Sequence, residues 1–126
     1  MARHNDLGKW GEDMAASLLT SKGYVIMSRN WMSGHRDIDI VALTPDRICT
    51  VFVEVKTRQS DVVTRPEDAI TANKVRNIAL AANAYVKKFN VLNELRFDII
   101  TIVGTDSASA HIEHIEDAFN PILIFR

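Results

Sequence analysis

Two short segments of the sequence place acidic and basic side chains inside strands that are otherwise apolar. In VFVEVKT, residues 51–57, Glu54 and Lys56 interrupt a run of valine and phenylalanine that predicts a buried β-strand. In DIDIVAL, residues 37–43, Asp37 and Asp39 alternate with isoleucines and predict a second strand. An ionised side chain that enters a core is costly unless it is paired, hydrogen-bonded or bound to a metal. These four residues are therefore candidates for chemistry.

The two strands are joined by the turn-like stretch TPDR, so they predict a β-hairpin. Without a bulge, this hairpin pairs Asp39 with Phe52 and Asp37 with Glu54. Residues that oppose each other share a face of the sheet, so the three acids and Lys56 are expected to project from one side. A slip of one residue would scatter them to opposite faces, so this inference depends on the register.

Carboxylates that share a strand face predict a site for a divalent cation. Directly opposed Cβ atoms lie about 5 Å apart, which lets two carboxylates reach one ion. With no cysteine or histidine cluster nearby, the ligands favour Mg²⁺ or Mn²⁺, which commonly act on phosphates. Lys56 would then orient the attacking water, remove its proton or neutralise the pentacovalent intermediate. The alternative is a salt-bridged sheet surface without chemistry, and the residue pattern alone does not separate the two.

Composition is that of an ordinary globular protein. The 126 residues are 47% hydrophobic and 25% charged, and they predict one domain over residues 1–126. No apolar run approaches the roughly 18 residues of a membrane span, and the first residues do not resemble a secretory signal. The single cysteine, Cys49, excludes an internal disulfide and favours the cytoplasm. We therefore expect a cytoplasmic protein with no membrane contact.

The charge distribution permits a nucleic-acid partner even though the net charge is −1. Residues 94–126 hold six of the 16 acids and two of the 15 lysines and arginines. Residues 1–93 are left with thirteen bases and ten acids. A metal bound by some of those acids would make this part of the surface more positive.

The remaining periodicities predict an α/β protein. A first helix is expected from Asp6 to about Lys22, ended by Gly23, with a second helix opening at Pro66. The segments GYVIMSRNW and LRFDIITIV predict further strands, and the ambiguous AHIEHIEDAF is interpreted as a strand. The order α-β-β-β-α-β predicts a layered domain with a mixed sheet flanked by helices. The first helix is expected to bury one apolar face: Leu7, Trp10, Gly11, Met14 and Leu18.

An acid on the second strand, followed after a hairpin by Glu-x-Lys, resembles the signature of the PD-(D/E)xK nuclease superfamily. Here the matching residues are Asp39 and the segment Glu54-Val55-Lys56. Almost the whole chain is similar to the YraN family of small bacterial proteins, through GKWGEDMAASLLTSKGYVIMSRNW, DIDIVA, VFVEVKTR, PEDAITANKVRNIALAANAYV, RFDIITIV and HIEHIEDAF. The resemblance implies a restriction-endonuclease-like fold, similar to archaeal Holliday-junction resolvases. It also implies that Asp39, Glu54 and the backbone carbonyl of Val55 hold a Mg²⁺ or Mn²⁺ ion.

The same resemblance implies two helical contributions to the site. Glu12, in GKWGED, matches a glutamate on the first helix of the relatives, and helical spacing puts it just past the edge of the apolar face. Lys74 on the second helix would face the substrate phosphate. One segment departs from the family pattern, which usually reads Gly-Glu-Ile-Asp. Here Arg36 replaces a residue without a side chain, and Asp37 is one methylene shorter than glutamate.

These features predict an endonuclease-like phosphodiesterase that depends on Mg²⁺ or Mn²⁺. DNA is the expected substrate in preference to RNA, and branched or structured DNA is included. The alternatives are a non-catalytic nucleic-acid-binding module that retains the fold and a structural or protein-interaction role. A homodimer is expected by analogy with resolvases, which cut two strands. Five arginines are candidates for phosphate contacts: Arg29, Arg36, Arg58, Arg65 and Arg76.

Overall fold

The computed structural model describes residues 4–59 and 70–121. In chain order the elements are α1 (His4–Ser21), β1 (Val25–Ser33), β2 (Arg36–Leu43), β3 (Cys49–Arg58), α2 (Ala72–Phe89), β4 (Glu94–Val103) and β5 (His111–Ile115). In these described ranges, no helix is long and apolar enough to cross a membrane.

The strands form one five-stranded sheet in the order β1-β2-β3-β4-β5. β1, β2 and β3 are antiparallel neighbours, β3 and β4 run parallel, and β5 is antiparallel to β4. The parallel pair requires a crossover connection, and this connection contains α2. The predicted mixed sheet and the strand in AHIEHIEDAF are therefore confirmed.

Each face of the sheet is covered by one helix. On the α1 side, Ala15 and Leu19 pack against apolar side chains of β2, β3 and β4: Ile40, Ala42, Val51, Val53, Ile100 and Ile102. On the α2 side, Ala81, Ala82 and Tyr85 pack against Ile38, Val41 and Phe52. The two clusters form one core layer on either side of β2 and β3.

The buried face of α1 is rotated from the predicted one. Gly11, Ala15 and Leu19 form its buried line, while Leu7 and the other large apolar residues of the predicted face are only partly buried. The reason is the close approach of the helix to β3. A Cβ added at Gly11 would clash with the side chain of Thr57. Small residues therefore face the sheet, and the rotation brings the Glu12 edge of the helix toward it.

The predicted end of the first helix is confirmed, but the predicted start of the second is wrong. Gly23, with φ +91°, follows α1 in the left-handed conformation that glycine adopts readily. The second helix begins at Ala72, not at Pro66, because Thr71 caps it: its side chain accepts a hydrogen bond from the Lys74 N–H at 3.1 Å. Pro66 itself lies outside the described residues.

The register of the β2–β3 hairpin differs from the predicted one by two residues. Phe52 pairs with Val41 and not with Asp39. The cause is a longer loop, closed by a 3.0 Å hydrogen bond from the Thr44 N–H to the Cys49 carbonyl. Since side chains alternate with a period of two, a shift of two residues does not by itself move a side chain to the other face.

The side-chain alternation of β2 is interrupted at Asp39. Ile40 packs on the α1 side, yet Ile38, two residues away, packs on the α2 side. The neighbouring strand β1 has a matching irregularity at Asn30, whose φ of 51° is left-handed. The β2–β3 pairing ends at Ile40. Asp39 therefore lies at a bend in β2, where this strand separates from β3 but stays paired with β1 on either side.

Candidate active site

Asp39 and Glu54 form a pair of carboxylates at this bend. Asp39 Oδ2 accepts a hydrogen bond from the Val55 N–H at 2.8 Å, just past the last backbone pair between the strands. Glu54 projects from β3 toward α2, and only 4% of its surface is exposed. Burial, followed by the charge of Glu54 and a hydrogen bond with it, raises the pKa of Asp39 to about 8, and the Val55 N–H opposes this effect. The predicted proximity of the two acids is therefore present in the structure.

Two lysines approach Glu54 from different elements. Lys56 Nζ lies 3.6 Å from Glu54 Oε2, and Lys74 Nζ, in the first turn of α2, lies 3.5 Å from the same oxygen. Partial burial acts to lower the pKa of Lys74, but the negative charges of Glu54, Asp37 and Asp39 outweigh it, so the pKa is raised. Lys74 is therefore a cation at neutral pH, beside a carboxylate that is almost completely buried.

Glu12 reaches the same bend from the opposite face of the sheet. Burial and the negative charge of Asp39 raise the pKa of Glu12, while a hydrogen bond with Asn30 and the charge of Arg29 lower it less. Arg29 NH2 lies 3.9 Å from Glu12 Oε1. Because β1 and β2 are both irregular here, Asp39, whose partner Glu54 faces α2, also influences an acid on α1. Sequence reasoning missed Asn30, although a polar Arg-Asn pair inside a predicted strand was a signal for an irregularity.

The expected grouping of Asp37 with Asp39, Glu54 and Lys56 on one face is wrong. Arg36 Nε donates to Asn77 Oδ1 of α2 at 3.3 Å, so the side chain of Arg36 lies on the α2 side. Asp37 is the next residue along the strand, and alternation turns it to the other side. The bend at Asp39 separates it from the face of Glu54. The charge of Asp37 is still close enough to contribute to the raised pKa of Asp39.

The other predicted phosphate contacts differ in their partners. Arg29 NH2 is bound to Asp13 Oδ1 at 2.7 Å, so its charge is already compensated. Arg76 is exposed on α2, and Arg65 lies outside the described residues. Arg58 ends β3, and its Nε atom is buried without a hydrogen-bond partner.

The donor atoms at the bend fit a hard divalent cation. Within residues 4–59 and 70–121, no three side chains of histidine, cysteine, aspartate or glutamate converge closely enough to hold an ion by themselves. Mg²⁺, however, usually takes only one or two carboxylates and completes its shell with water and substrate phosphate oxygens. Asp39, Glu54 and the Val55 carbonyl supply oxygen donors of this kind. Burial, followed by the negative charge of Glu54, raises the pKa of Asp39, and a cation bound here would favour its ionised form.

Two cavities formed by residues in the described ranges lie away from the carboxylate pair. A groove of about 590 Å³ lies between α2 and β4, with Leu80, Leu95 and Phe97 among its lining residues. A second cavity of about 500 Å³, beside α1 and β5, is lined by Trp10, Ile112 and their neighbours. Neither includes the carboxylate pair or its two lysines. We therefore assign the site from its charged groups and not from cavity size.

A second buried cluster of charges, which sequence reasoning missed, lies on the α1 side around Asp98. Asp98 is completely buried and accepts hydrogen bonds from Arg96 Nε at 2.9 Å and Arg96 NH2 at 2.7 Å. His114 Nε2 lies 2.7 Å from Asp98 Oδ2, and Lys22 Nζ lies 2.7 Å from His114 Nδ1. Burial acts to raise the pKa of Asp98, but the hydrogen bonds from His114, Arg96 and the Asp117 N–H outweigh it and lower the pKa. The spacing Arg96-Phe-Asp98 was a signal for this pair, since residues two apart share a strand face.

Fold and site together define a small α/β protein with two buried carboxylates and two lysines at a bend beside its central strand. Comparison with known proteins shows that the chain belongs to the uncharacterised protein family UPF0102, whose family model matches residues 11–102. This is the YraN-like group that the motifs indicate. The matched range includes the carboxylates and lysines of the site, as well as Glu12.

Similarity to members of this family extends over nearly the whole chain. A UPF0102 protein of Phocaeicola vulgatus is 47% identical over 96% of this chain and 98% of its own length. A UPF0102 protein of Bacteroides fragilis is 46% identical, over 98% of this chain and 99% of its own. One from Porphyromonas gingivalis is 43% identical over 100% of this chain and 92% of its own.

Proposed function

We propose that this protein is a metal-dependent phosphodiesterase that cleaves DNA, with a restriction-endonuclease-like core of the PD-(D/E)xK type formed by residues 1–126. The observation that carries the proposal is the buried Asp39–Glu54 pair, with the Lys56 ammonium group 3.6 Å from Glu54. The mixed sheet with one helix on each face supports the fold assignment. A cytoplasmic location, where DNA is accessible, belongs to the same proposal.

Each site residue has a role that follows from its position. Asp39, Glu54 and the Val55 carbonyl hold Mg²⁺ or Mn²⁺, which when bound supplies Lewis-acid activation of water and of the phosphate. Lys56 orients the attacking water, because its ammonium group lies on the same strand face as Glu54. Lys74 faces the non-bridging phosphate oxygens, and its raised pKa keeps it positively charged.

The remaining groups support this arrangement. Glu12 approaches Asp39 from the α1 side and acts through a water molecule, since the charge of Asp39 raises the pKa of Glu12 while Asp39 keeps its hydrogen bond from the Val55 N–H. Arg36, held by Asn77, adds positive charge near the start of α2. In-line attack of water breaks the bond from phosphorus to the 3′-oxygen, which leaves 5′-phosphate and 3′-hydroxyl ends. A homodimer would bring two such sites to two strands of a branched or duplex DNA.

The direct test is a nicking assay with Mn²⁺ on duplex, single-stranded and branched DNA. Glu54→Gln keeps the shape of the side chain and removes its charge. We expect it to reduce the cleavage rate by at least about 100-fold, since even the outer partners of metal ligands cost roughly 10–100-fold when they are lost. Glu94→Gln is the control, because this exposed residue lies at the far end of the neighbouring strand β4. Equal cleavage by the wild type and Glu54→Gln would reject the proposal.

A second candidate is a nucleic-acid-binding module without catalysis. It is favoured by the segment Arg36-Asp37, which replaces the usual Gly-Glu of the resembling family, and by the engagement of Arg36 with Asn77. This candidate predicts salt-dependent DNA binding that survives Asp39→Asn, with no Mn²⁺-dependent cleavage by the wild type. Absence of any DNA binding at low salt would instead support a structural or protein-interaction role.

A further inference from the structure

The α2-side face of β3 carries an ordered row of side chains. From the core outward, this row consists of Phe52, Glu54, Lys56 and Arg58, each two residues after the last. Phe52 is fully buried and Glu54 is 4% exposed, while Lys56 and Arg58 are partly exposed. The row therefore leads from the core past the acidic pair to two successive cations at the end of the strand.

The backbone holds Arg58 as firmly as the rest of the row. The parallel pairing of β3 with β4 continues to its last pair, Arg58 with Val103. The Gly104 N–H then donates to the Arg58 carbonyl at 2.9 Å. Arg58 is therefore a fixed position of the sheet, at a set distance from Lys56.

The Nε atom of Arg58 lacks a hydrogen-bond partner, whereas the guanidinium groups of three other arginines are bound. Arg29 is bound to Asp13, Arg36 to Asn77 and Arg96 to Asp98. Among the buried side-chain nitrogen and oxygen atoms of the described ranges, only the Nε atom of Arg58 has no hydrogen-bond partner. A buried donor is rarely left unpaired, and such a group at the edge of a site indicates a missing acceptor.

We propose that Arg58 binds the phosphate next to the one at the carboxylate pair, so that the substrate is a polynucleotide strand lying along β3 and not a small phosphodiester. This inference rests on the proposed function. A guanidinium binds phosphate oxygens through two parallel N–H groups, which suits a position that fixes the path of a strand. Two residues of a β-strand advance about 6.6 Å, a step comparable to one nucleotide of an extended backbone.

The first test compares two substrates that differ in the number of phosphates. Single-stranded DNA offers a neighbouring phosphate, whereas bis(p-nitrophenyl) phosphate has only one. We expect Arg58→Gln to lower the ratio of kcat/KM for DNA to kcat/KM for the small diester at least about fivefold, mainly through KM for DNA. Arg47→Gln is the matched control, because it removes the same charge from the exposed turn at the opposite end of β3. An unchanged ratio in Arg58→Gln would overturn the inference.

The second test measures binding without cleavage. Fluorescence anisotropy with single-stranded DNA, in Ca²⁺ and over a series of salt concentrations, gives the slope of log K against log salt. Loss of one phosphate contact lowers that slope by about 0.7 for a single strand. We expect this decrease in Arg58→Gln, a wild-type slope in Arg47→Gln, and a largely restored slope in Arg58→Lys, which keeps the charge.

The outcomes separate this inference from the proposed function. If the wild type cleaves DNA and Arg58→Gln has the slope of Arg47→Gln, Arg58 does not contact a phosphate and the nuclease proposal stands. If the wild type cleaves nothing and Arg58→Gln still lowers the slope, the strand path along β3 stands and the proposed chemistry is wrong. If Arg58→Gln does not fold, Arg58→Lys provides the test. A wild-type salt slope combined with a lower ratio of kcat/KM for DNA to kcat/KM for the small diester supports a bidentate contact between Arg58 and phosphate. An unchanged ratio excludes such a contact.

Discussion

The side chains of Asp39 and Glu54 combine features that oppose stability and favour metal binding. Burial disfavours the charged form of Asp39, and the carboxylate of Glu54 lies beside it. Lys56 and Lys74 compensate the charge of Glu54, whereas Asp39 accepts a hydrogen bond from the uncharged Val55 N–H. Functional sites commonly retain such arrangements at a cost in stability.

This residue-scale view predicts that a divalent cation stabilises the folded protein through Asp39. At about a hundredfold excess over its Kd, Mn²⁺ would raise the free energy of unfolding by about 2.7 kcal/mol, which corresponds to a Tm increase of about 10 °C. Asp39→Asn keeps an oxygen to accept the Val55 N–H but loses the ligand charge, so its Tm is expected to change little with Mn²⁺.

Thermal unfolding with and without EDTA measures this difference. Glu113→Gln, on the exposed face of β5, is the control and should respond like the wild type. An equal Mn²⁺ response in Asp39→Asn would show that the ion binds elsewhere on the molecule.

At the scale of elements, the close contact between α1 and β3 sets the position of Glu12. Gly11→Ala would force the new methyl group against Thr57, and we expect a loss of about 1–3 kcal/mol in the free energy of unfolding from overpacking. Gly8→Ala is the matched control on the same helix, since a methyl group added there would have no neighbouring atom within 4 Å. It should be neutral or stabilise by up to about 1 kcal/mol.

Urea unfolding of the two glycine variants checks this contact. Equal stabilities would mean that α1 does not approach β3 as closely as described. Because Glu12 follows Gly11 directly, a displaced helix in Gly11→Ala should also reduce any Mn²⁺-dependent cleavage, whereas Gly8→Ala should leave it near the wild-type rate.

For the whole molecule, the Asp98 cluster joins the end of α1 to β4 and β5. Asp98→Asn would leave Arg96 and His114 without their carboxylate, and breaking a buried pair of this kind costs about 3–5 kcal/mol. Glu113→Gln again serves as the control, and as a surface substitution it should stay within about 0.5 kcal/mol of the wild type. Urea unfolding near neutral pH measures both.

The same cluster predicts how stability depends on pH. The pKa of Asp98 is lower in the folded state than the ordinary value of 3.8, so the folded protein binds its proton less readily than the unfolded chain. The contribution of ionised Asp98 to the free energy of unfolding is fully present above the ordinary pKa. It is lost as the pH falls through the lowered pKa of the folded state. The difference in stability between the wild type and Asp98→Asn should therefore shrink below about pH 4. A constant difference down to the acid limit would contradict the assignment.

Much of the fold and part of the site follow from local patterns. The strands, the two helices and the stop at Gly23 depend on periodicity and on turn chemistry, which neighbouring residues determine. The shared face of Glu54, Lys56 and Arg58 follows from the period of two within a single strand. The hairpin prediction placed Asp39 two residues out of register, yet the period of two kept it near Glu54.

The rest was decided by contacts between residues far apart in the chain. The bend that turns Asp39 toward Glu54 requires irregularities in both β1 and β2, and Glu12 and Lys74 reach it from helices on opposite faces. The rotation of α1 depends on how closely it can pack on β3. Packing of this kind is a property of the assembled layers, because each surface is shaped by a partner that no local segment contains. The sequence by itself therefore determined which residues carry the charge and along which strand they lie, and only the tertiary structure decided which of them meet.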